Sequence, residues 1–173
     1  MKAIILAGGR GKRLRPITDK IPKPLIPINN KPLIERTIKY LKKYGVTEII
    51  ISAGYKSHLI EKFLKQKKNF GCEIIFSIEK TPLGTGGAVK KALRYVEENS
   101  FLVLNGDIVT NINLKKIMKK ENTIAANELK TKFGTMDIKG NKILKFNEKK
   151  DVTNVWMNPG IYPVSYTHLR AHE

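Results

Sequence analysis

Three glycines and four cations share the stretch Gly8-Gly9-Arg10-Gly11-Lys12-Arg13-Leu14-Arg15, directly after the apolar run Ala3-Ile4-Ile5-Leu6-Ala7. Glycine lets backbone N–H groups come close to an anion, and Arg or Lys neutralises it. A loop of this build at the end of a strand can hold a polyphosphate. Two common phosphate motifs fail on spacing. A P-loop needs G-x-x-x-x-G-K-[ST], and here Lys12 is followed by Arg13; a dinucleotide fingerprint needs G-x-G-x-x-G, and Leu14 stands where its third glycine belongs. The same glycines also suit an ordinary strand–turn, so the loop alone does not decide.

Three further residues carry chemistry at chosen places. Lys23 lies between Pro22 and Pro24; prolines stiffen the backbone and fix where the ammonium points. Asp107 closes Leu102-Val103-Leu104-Asn105-Gly106-Asp107, a carboxylate just past a buried strand. Mg²⁺ takes oxygen ligands, usually one or two carboxylates plus substrate phosphates. Glu79 ends the run Glu73–Ile78 and opens Lys80-Thr81-Pro82-Leu83-Gly84-Thr85-Gly86-Gly87-Ala88. A carboxylate only accepts, and guanine offers N1–H and N2–H₂ as adjacent donors, a bidentate match. Uracil and thymine present one donor between two acceptors, and cytosine matches in part through its N4 amino group. Each residue also has a plainer reading: a surface lysine, an N-G-D turn, a solvated strand-end charge. His58 and Cys72 show no ligand spacing with any partner, no nucleophile–base pair can be assembled, and Tyr55 and Trp156 read as packing residues.

The elements that must position these groups alternate. Glu48–Ala53, Glu73–Ile78 and Phe101–Leu104 are short apolar runs rich in Ile, Val or Phe. Between them Leu33, Ile34, Ile38 and Leu41, then Leu59, Ile60, Phe63 and Leu64, then Ala88, Val89, Ala92, Leu93 and Val96 recur with helical spacing. Lys31-Pro32 places proline at a first helical position. Repeated β–α units predict an α/β fold: a Rossmann-like, mostly parallel sheet flanked by helices. Ligands of such sheets bind beyond the carboxyl ends of the strands, which is where the glycine loop, Glu79 and Asp107 fall. From about Asn122 the rhythm changes to shorter β-like pieces (Thr123–Ala126, Thr135–Ile138, Lys142–Phe146, Asn158–Tyr162). These are expected to form a smaller mixed β subregion of the same domain.

Leu6 to Pro16 with Ile17-Thr18, followed by Pro22-Lys23-Pro24-Leu25, resembles the signature of the sugar-1-phosphate nucleotidyltransferases, or nucleotide-sugar pyrophosphorylases: a strand, G-G-x-G-x-R-L-x-P-L-T, then P-K-P-L. Later segments fit in the same order to about Tyr162, and the P-L-G-T-G-G-A string resembles guanylyltransferase members, those acting on mannose 1-phosphate or heptose 1-phosphate. The resemblance implies attack by a sugar-1-phosphate oxygen on the α-phosphorus of an NTP, GTP favoured, with loss of pyrophosphate. It implies catalytic roles for Arg13, Lys23 and Asp107, with Asp107 the ligand of Mg²⁺. Leu6, Ala7, Gly8, Gly9, Gly11, Glu79, Pro82, Gly84 and Thr85 would bind the nucleotide. Phe133-Gly134, Phe146-Asn147-Glu148-Lys149 and Asn158-Pro159-Gly160-Ile161-Tyr162 resemble the sugar-side motifs, so Gly134, Glu148, Lys149 and Asn158 would meet the sugar phosphate. Lys12 stands where the family has a small residue, and Lys150 where it has proline. The family's second metal aspartate has no counterpart here, and the chain is expected to be C-terminally truncated.

The chain has 173 residues, is 41% hydrophobic and carries a net charge of +18 from 33 basic and 15 acidic residues. Such a charge raises nucleic-acid binding as a reading, but the lysines spread over several helices with no interleaved aromatics for base stacking. They are expected to be a solvated surface that attracts anionic substrates. No apolar run approaches the ~18 residues of a membrane span, and the N-terminal run is too short for a secretory signal. With Cys72 the only cysteine, a cytoplasmic setting is expected. Residues 1–164 read as the core domain. Residues 165–173 follow no family pattern, resemble translated sequencing-adapter read-through, and are expected to be non-native. A non-catalytic nucleotide-sugar sensor on the same fold is the alternative function, against which the intact Arg13, Lys23 and Asp107 argue. The oligomeric state stays open, a homo-oligomer included.

Overall fold

A computed structural model of the protein describes residues 1–120, 123–129, 135–147 and 155–166. They divide into two compact units, Met1–Thr123 with the segment from Gly160 onward, and Ile124–Pro159.

The first unit is built on β1 (Ala3–Ala7), with short β2 (Pro27–Ile28) and β3 (Lys31–Pro32), then β4 (Glu48–Ala53), β5 (Glu73–Ile78) and β6 (Ser100–Asn105). Its helices are α1 (Ile17–Lys20), α2 (Leu33–Lys43), α3 (Ser57–Gln66), α4 (Gly84–Ala92) and α5 (Leu114–Ile117). The second unit holds β7 (Asn127–Glu128), β8 (Thr135–Lys139), β9 (Lys142–Asn147) and β10 (Trp156–Met157); β11 (Ile161–Ser165) returns to the first.

Five strands form one sheet in the order β11-β6-β1-β4-β5. β6, β1, β4 and β5 are parallel, and β11 adds antiparallel to β6. Helices flank this sheet, as parallel strands require crossover connections. The chain fills one side of β1 with β4 and β5 before crossing to β6 on the other. The strand order therefore reverses between β1 and β6, where α/β sheets open a crevice.

The inner strands β6, β1 and β4 are apolar on both faces because both are covered. Ile4, Ile50, Phe101 and Val103 share one face and pack with Val89 and Ala92 of α4. Ile5, Ile51 and Leu104 alternate to the other face and are fully buried, as are Ile34, Ile38 and Leu41 of α2. Each such side chain contributes roughly 1.5–3 kcal/mol. Tyr40 of α2 anchors the segment after β6, its hydroxyl donating to the Ile112 carbonyl at 2.5 Å. Burial, helped by neighbouring Tyr44, pushes the Tyr40 phenol up to about 12. Among the described residues no helix is long and apolar enough to cross a membrane.

Several expectations need correction. Pro32 caps α2 instead of opening it, since Lys31–Pro32 pairs with Pro27–Ile28. The helix expected from Ala88 starts at Gly84, so the glycine string is its first turn. Thr123–Ala126 forms no strand, and the strand expected at Asn158–Tyr162 is shifted to Ile161–Ser165. Trp156 is 62% exposed and does not pack in a core.

Candidate active site

Two loops leave the sheet side by side at the β1/β6 reversal. The Gly106 N–H donates to the Leu6 carbonyl at 2.8 Å. A Cβ on Gly106 would lie 2.7 Å from that same oxygen, so only glycine lets the β6 exit lie against the end of β1. Asp107 is thereby delivered beside the glycine loop.

That loop is held from behind. Gly11 is left-handed at φ +62°, and a Cβ there would meet Thr18 Cγ2 at 2.9 Å and Lys23 Cβ at 3.4 Å. The buried Thr18 hydroxyl donates to the Gly11 carbonyl at 3.0 Å, and the Thr18 carbonyl accepts from the Tyr55 hydroxyl at 3.0 Å. Lys56 Nζ donates to the carbonyls of Asp19 and Lys20 at 2.5 and 3.0 Å. The loop after β4 thus clamps α1, and α1 clamps the glycine loop.

The result is a cleft of about 440 Å³. Leu6, Ala7, Gly9 and Gly11 line it from the β1 side, with Lys12, Arg13 and Leu14 from the turn that follows. Lys23 and Pro24 enter from a 3-10 turn, Lys23–Leu25, that Pro22 introduces in extended conformation. Asn105, Gly106 and Asp107 close it from β6. Three cations face one carboxylate, a balance suited to a polyanion. Lys23 Nζ pairs with Asp107 Oδ2. Arg13 makes no ion pair or side-chain hydrogen bond among the described residues.

Arg13, Lys23 and Asp107, proposed from distant parts of the sequence, therefore share one cleft. Gly8 and Glu79 lie together next to it: Glu79 Oε1 accepts from the Ser52 hydroxyl at 2.9 Å, and a Cβ on Gly8 would sit 2.5 Å from that oxygen. Pro82, Gly84 and Thr85 are exposed at the start of α4 and do not line the cleft. Asn158 follows β10 in the second unit. Gly134, Glu148 and Lys149 lie outside the described residues.

Among the described residues no three His, Cys, Asp or Glu side chains gather to hold a metal by themselves. Mg²⁺ bound through substrate phosphates needs only one or two carboxylates. Asp107 alone in a cationic cleft fits a metal that arrives with a triphosphate, and does not fit a protein-caged ion.

The sequence matches the family model described as Nucleotidyl transferase over residues 2–167. The chain belongs to the nucleotidyl transferase family. It is 38% identical over 170 residues to D-glycero-alpha-D-manno-heptose 1-phosphate guanylyltransferase of Aneurinibacillus thermoaerophilus, covering 94% of this chain and 74% of that protein. The protein of the same description from Campylobacter jejuni is 41% identical over 167 residues, at 94% and 75% coverage. Mannose-1-phosphate guanyltransferase beta-B of Xenopus laevis is 38% identical over 176 residues, with 49% of its length covered. The crystal structure of HddC from Yersinia pseudotuberculosis complexed with GMP-PN superposes with a TM-score of 0.77 at 33% identity, over 97% of this chain and 78% of that one.

In this nucleotidyl transferase the residues that sequence reasoning missed are those behind the site. Thr18 ends the signature and carried a signal, a hydroxyl next to an obligatory turn. Tyr55, read as packing, is a donor to the α1 backbone. Ser52 is the polar interruption of Ile49-Ile50-Ile51-Ser52-Ala53 and is fully buried, a pattern that calls for a partner.

Proposed function

We propose that this nucleotidyl transferase joins a nucleoside triphosphate, GTP by preference, to a sugar 1-phosphate, giving a nucleotide sugar and pyrophosphate in the cytoplasm. The observation that carries the reading is the shared cleft of Arg13, Lys23 and Asp107 beside the glycine loop. A phosphate oxygen of the sugar 1-phosphate attacks the α-phosphorus in line; that O–P bond forms as the bond from the α-phosphorus to the β-phosphate oxygen breaks. Such transfer needs positioning and charge neutralisation more than a covalent nucleophile, which agrees with the absence of a nucleophile–base pair from the sequence reading.

The glycine-loop N–H groups hold the nucleotide phosphates, and Arg13 takes the departing pyrophosphate. Lys23 sits where charge builds on the α-phosphate. In the free protein its ammonium is kept in place by Asp107. Mg²⁺ on Asp107, when bound, neutralises phosphate charge. Glu79 reads the base edge beside Gly8, with Pro82, Gly84 and Thr85 around the base, while Gly134, Glu148, Lys149 and Asn158 serve the sugar phosphate. The heptose and mannose guanylyltransferases among the relatives support GTP and a hexose or heptose 1-phosphate.

The test is pyrophosphate release with Mg²⁺, mannose 1-phosphate or heptose 1-phosphate, and each of GTP, UTP, CTP, dTTP and ATP in turn. GTP is expected to give the fastest release. Nucleotide binding without any release would contradict the enzyme reading and mark a sensor instead.

A further inference from the structure

Glu79 is held more tightly than a strand-end charge needs to be. Its backbone N–H donates to the Ala53 carbonyl at 2.7 Å, which extends the β4–β5 pairing one residue past β5. Its carboxylate is then fixed at both oxygens from two different elements. The Ser52 hydroxyl of β4 donates to Oε1 at 2.9 Å, and the Leu83 N–H, ahead of α4, donates to Oε2 at 3.3 Å. A carboxylate cannot donate, so the direction of both bonds is set. Gly8 completes the seat: a Cβ there would lie 2.5 Å from Oε1, 3.0 Å from Cδ and 3.1 Å from Oε2.

Ser52 is 0% exposed and sits in an otherwise apolar strand end. A buried hydroxyl is costly unless bonded, and in this strand an alanine would satisfy packing alone. Among the described residues the hydrogen bond this hydroxyl makes is the one to Glu79. Each carboxylate oxygen has about two acceptor sites; Ser52 and Leu83 occupy one on each. One on each remains, which is the number of acceptors that the N1–H and N2–H₂ donors of guanine require. A carboxylate free to rotate offers that pair only part of the time.

We propose that Ser52 is a positioning residue for base selection, its hydroxyl fixing the Glu79 carboxylate as a two-point acceptor for the guanine edge. This rests on the proposed use of GTP. It adds a residue that touches no part of the nucleotide and acts wholly through Glu79.

The test compares dissociation constants for GTP and ITP, which lacks the 2-amino group, in the full chain and in S52A, S52C, E79Q and S52A/E79Q, with melting temperatures measured alongside. Wild type is expected to favour GTP over ITP by about 10- to 100-fold. S52A is expected to cut that ratio by about five- to tenfold with ITP affinity nearly unchanged. S52C, whose thiol donates only weakly, follows S52A and serves if the alanine variant does not fold. In the E79Q background S52A should change nothing further. A folded S52A or S52C with the wild-type ratio overturns the inference, as does an equal loss with and without Glu79. A wild type that does not favour GTP over ITP contradicts the base reading itself, and is seen before any variant is made.

Discussion

Lys23 and Asp107 are each about one-third exposed at the side chain and hold one another in the cleft. A pair so exposed adds about 0–1 kcal/mol to stability. Its removal should therefore be felt in turnover and not in folding. Lys23→Ala is expected to lower kcat by about 10²–10³-fold, the scale of losing one preorganised electrostatic contact to a transition state, with the melting temperature within a few degrees of wild type. Steady-state pyrophosphate release and a thermal melt measure both. Near-wild-type turnover would remove Lys23 from the chemistry. Arg13 differs in kind, since among the described residues it makes no ion pair or side-chain hydrogen bond and is available to an incoming anion. Gly106 and Gly11 act by what they lack: at each, a β-carbon would collide with the neighbour that shapes the cleft.

At the scale of elements, the ends of the strands explain the site better than their middles do. β4 and β5 run in register with Ser52 opposite Ser77, so two hydroxyls lie side by side where apolar residues would be expected. Ser52 has Glu79. Ser77 is fully buried, and its hydroxyl has no hydrogen-bond partner among the described residues. An unsatisfied buried hydroxyl costs about 1–3 kcal/mol. Ser77→Ala is accordingly expected to raise stability by about 1 kcal/mol, read as a higher urea midpoint at unchanged slope. A loss of 1 kcal/mol or more would show that the hydroxyl is satisfied in solution. α1 makes the complementary point: a four-residue helix with one buried residue, Thr18, is held by the Tyr55 hydroxyl and Lys56 and not by its own packing.

Across the whole molecule, legibility followed the pattern along the chain. Glu48–Ala53 and Glu73–Ile78 are readable to the residue because each is an apolar run opened by a glutamate and interrupted by a single serine. The carboxyl ends of the parallel strands place the glycine loop, Glu79 and Asp107 at one edge, while the joining of Lys23 to Arg13 and Asp107 is what the family resemblance implies. In the second unit Thr135–Ile138 and Lys142–Phe146 fall within one residue of β8 and β9, although Met136, Ile138, Ile143 and Phe146 are all exposed; the two-residue strands β7 and β10 are too short to mark a period. The start of α4 was misread because glycine is a poor helix former, and Gly84-Thr85-Gly86-Gly87 looks like loop. The clamp of Thr18, Tyr55 and Lys56 is hidden in the sequence because three of its four bonds join residues far apart in the chain and all four end on backbone carbonyls, which leave no side-chain pattern.

The central claim is that one cleft, built from the opening segment and Asp107, binds a nucleoside triphosphate. The melting temperature with Mg²⁺ and GTP tests it most directly, because a ligand that binds only the folded chain stabilises it by about 2.7 kcal/mol at a hundredfold excess over Kd. For a chain of this size that is a rise of about 5–10 °C. Wild type is expected to show that rise, and Arg13→Ala and Lys23→Ala to lose most of it while keeping the ligand-free melting temperature. No rise in wild type with any of the five nucleotides, or a full rise in both variants, would contradict the account.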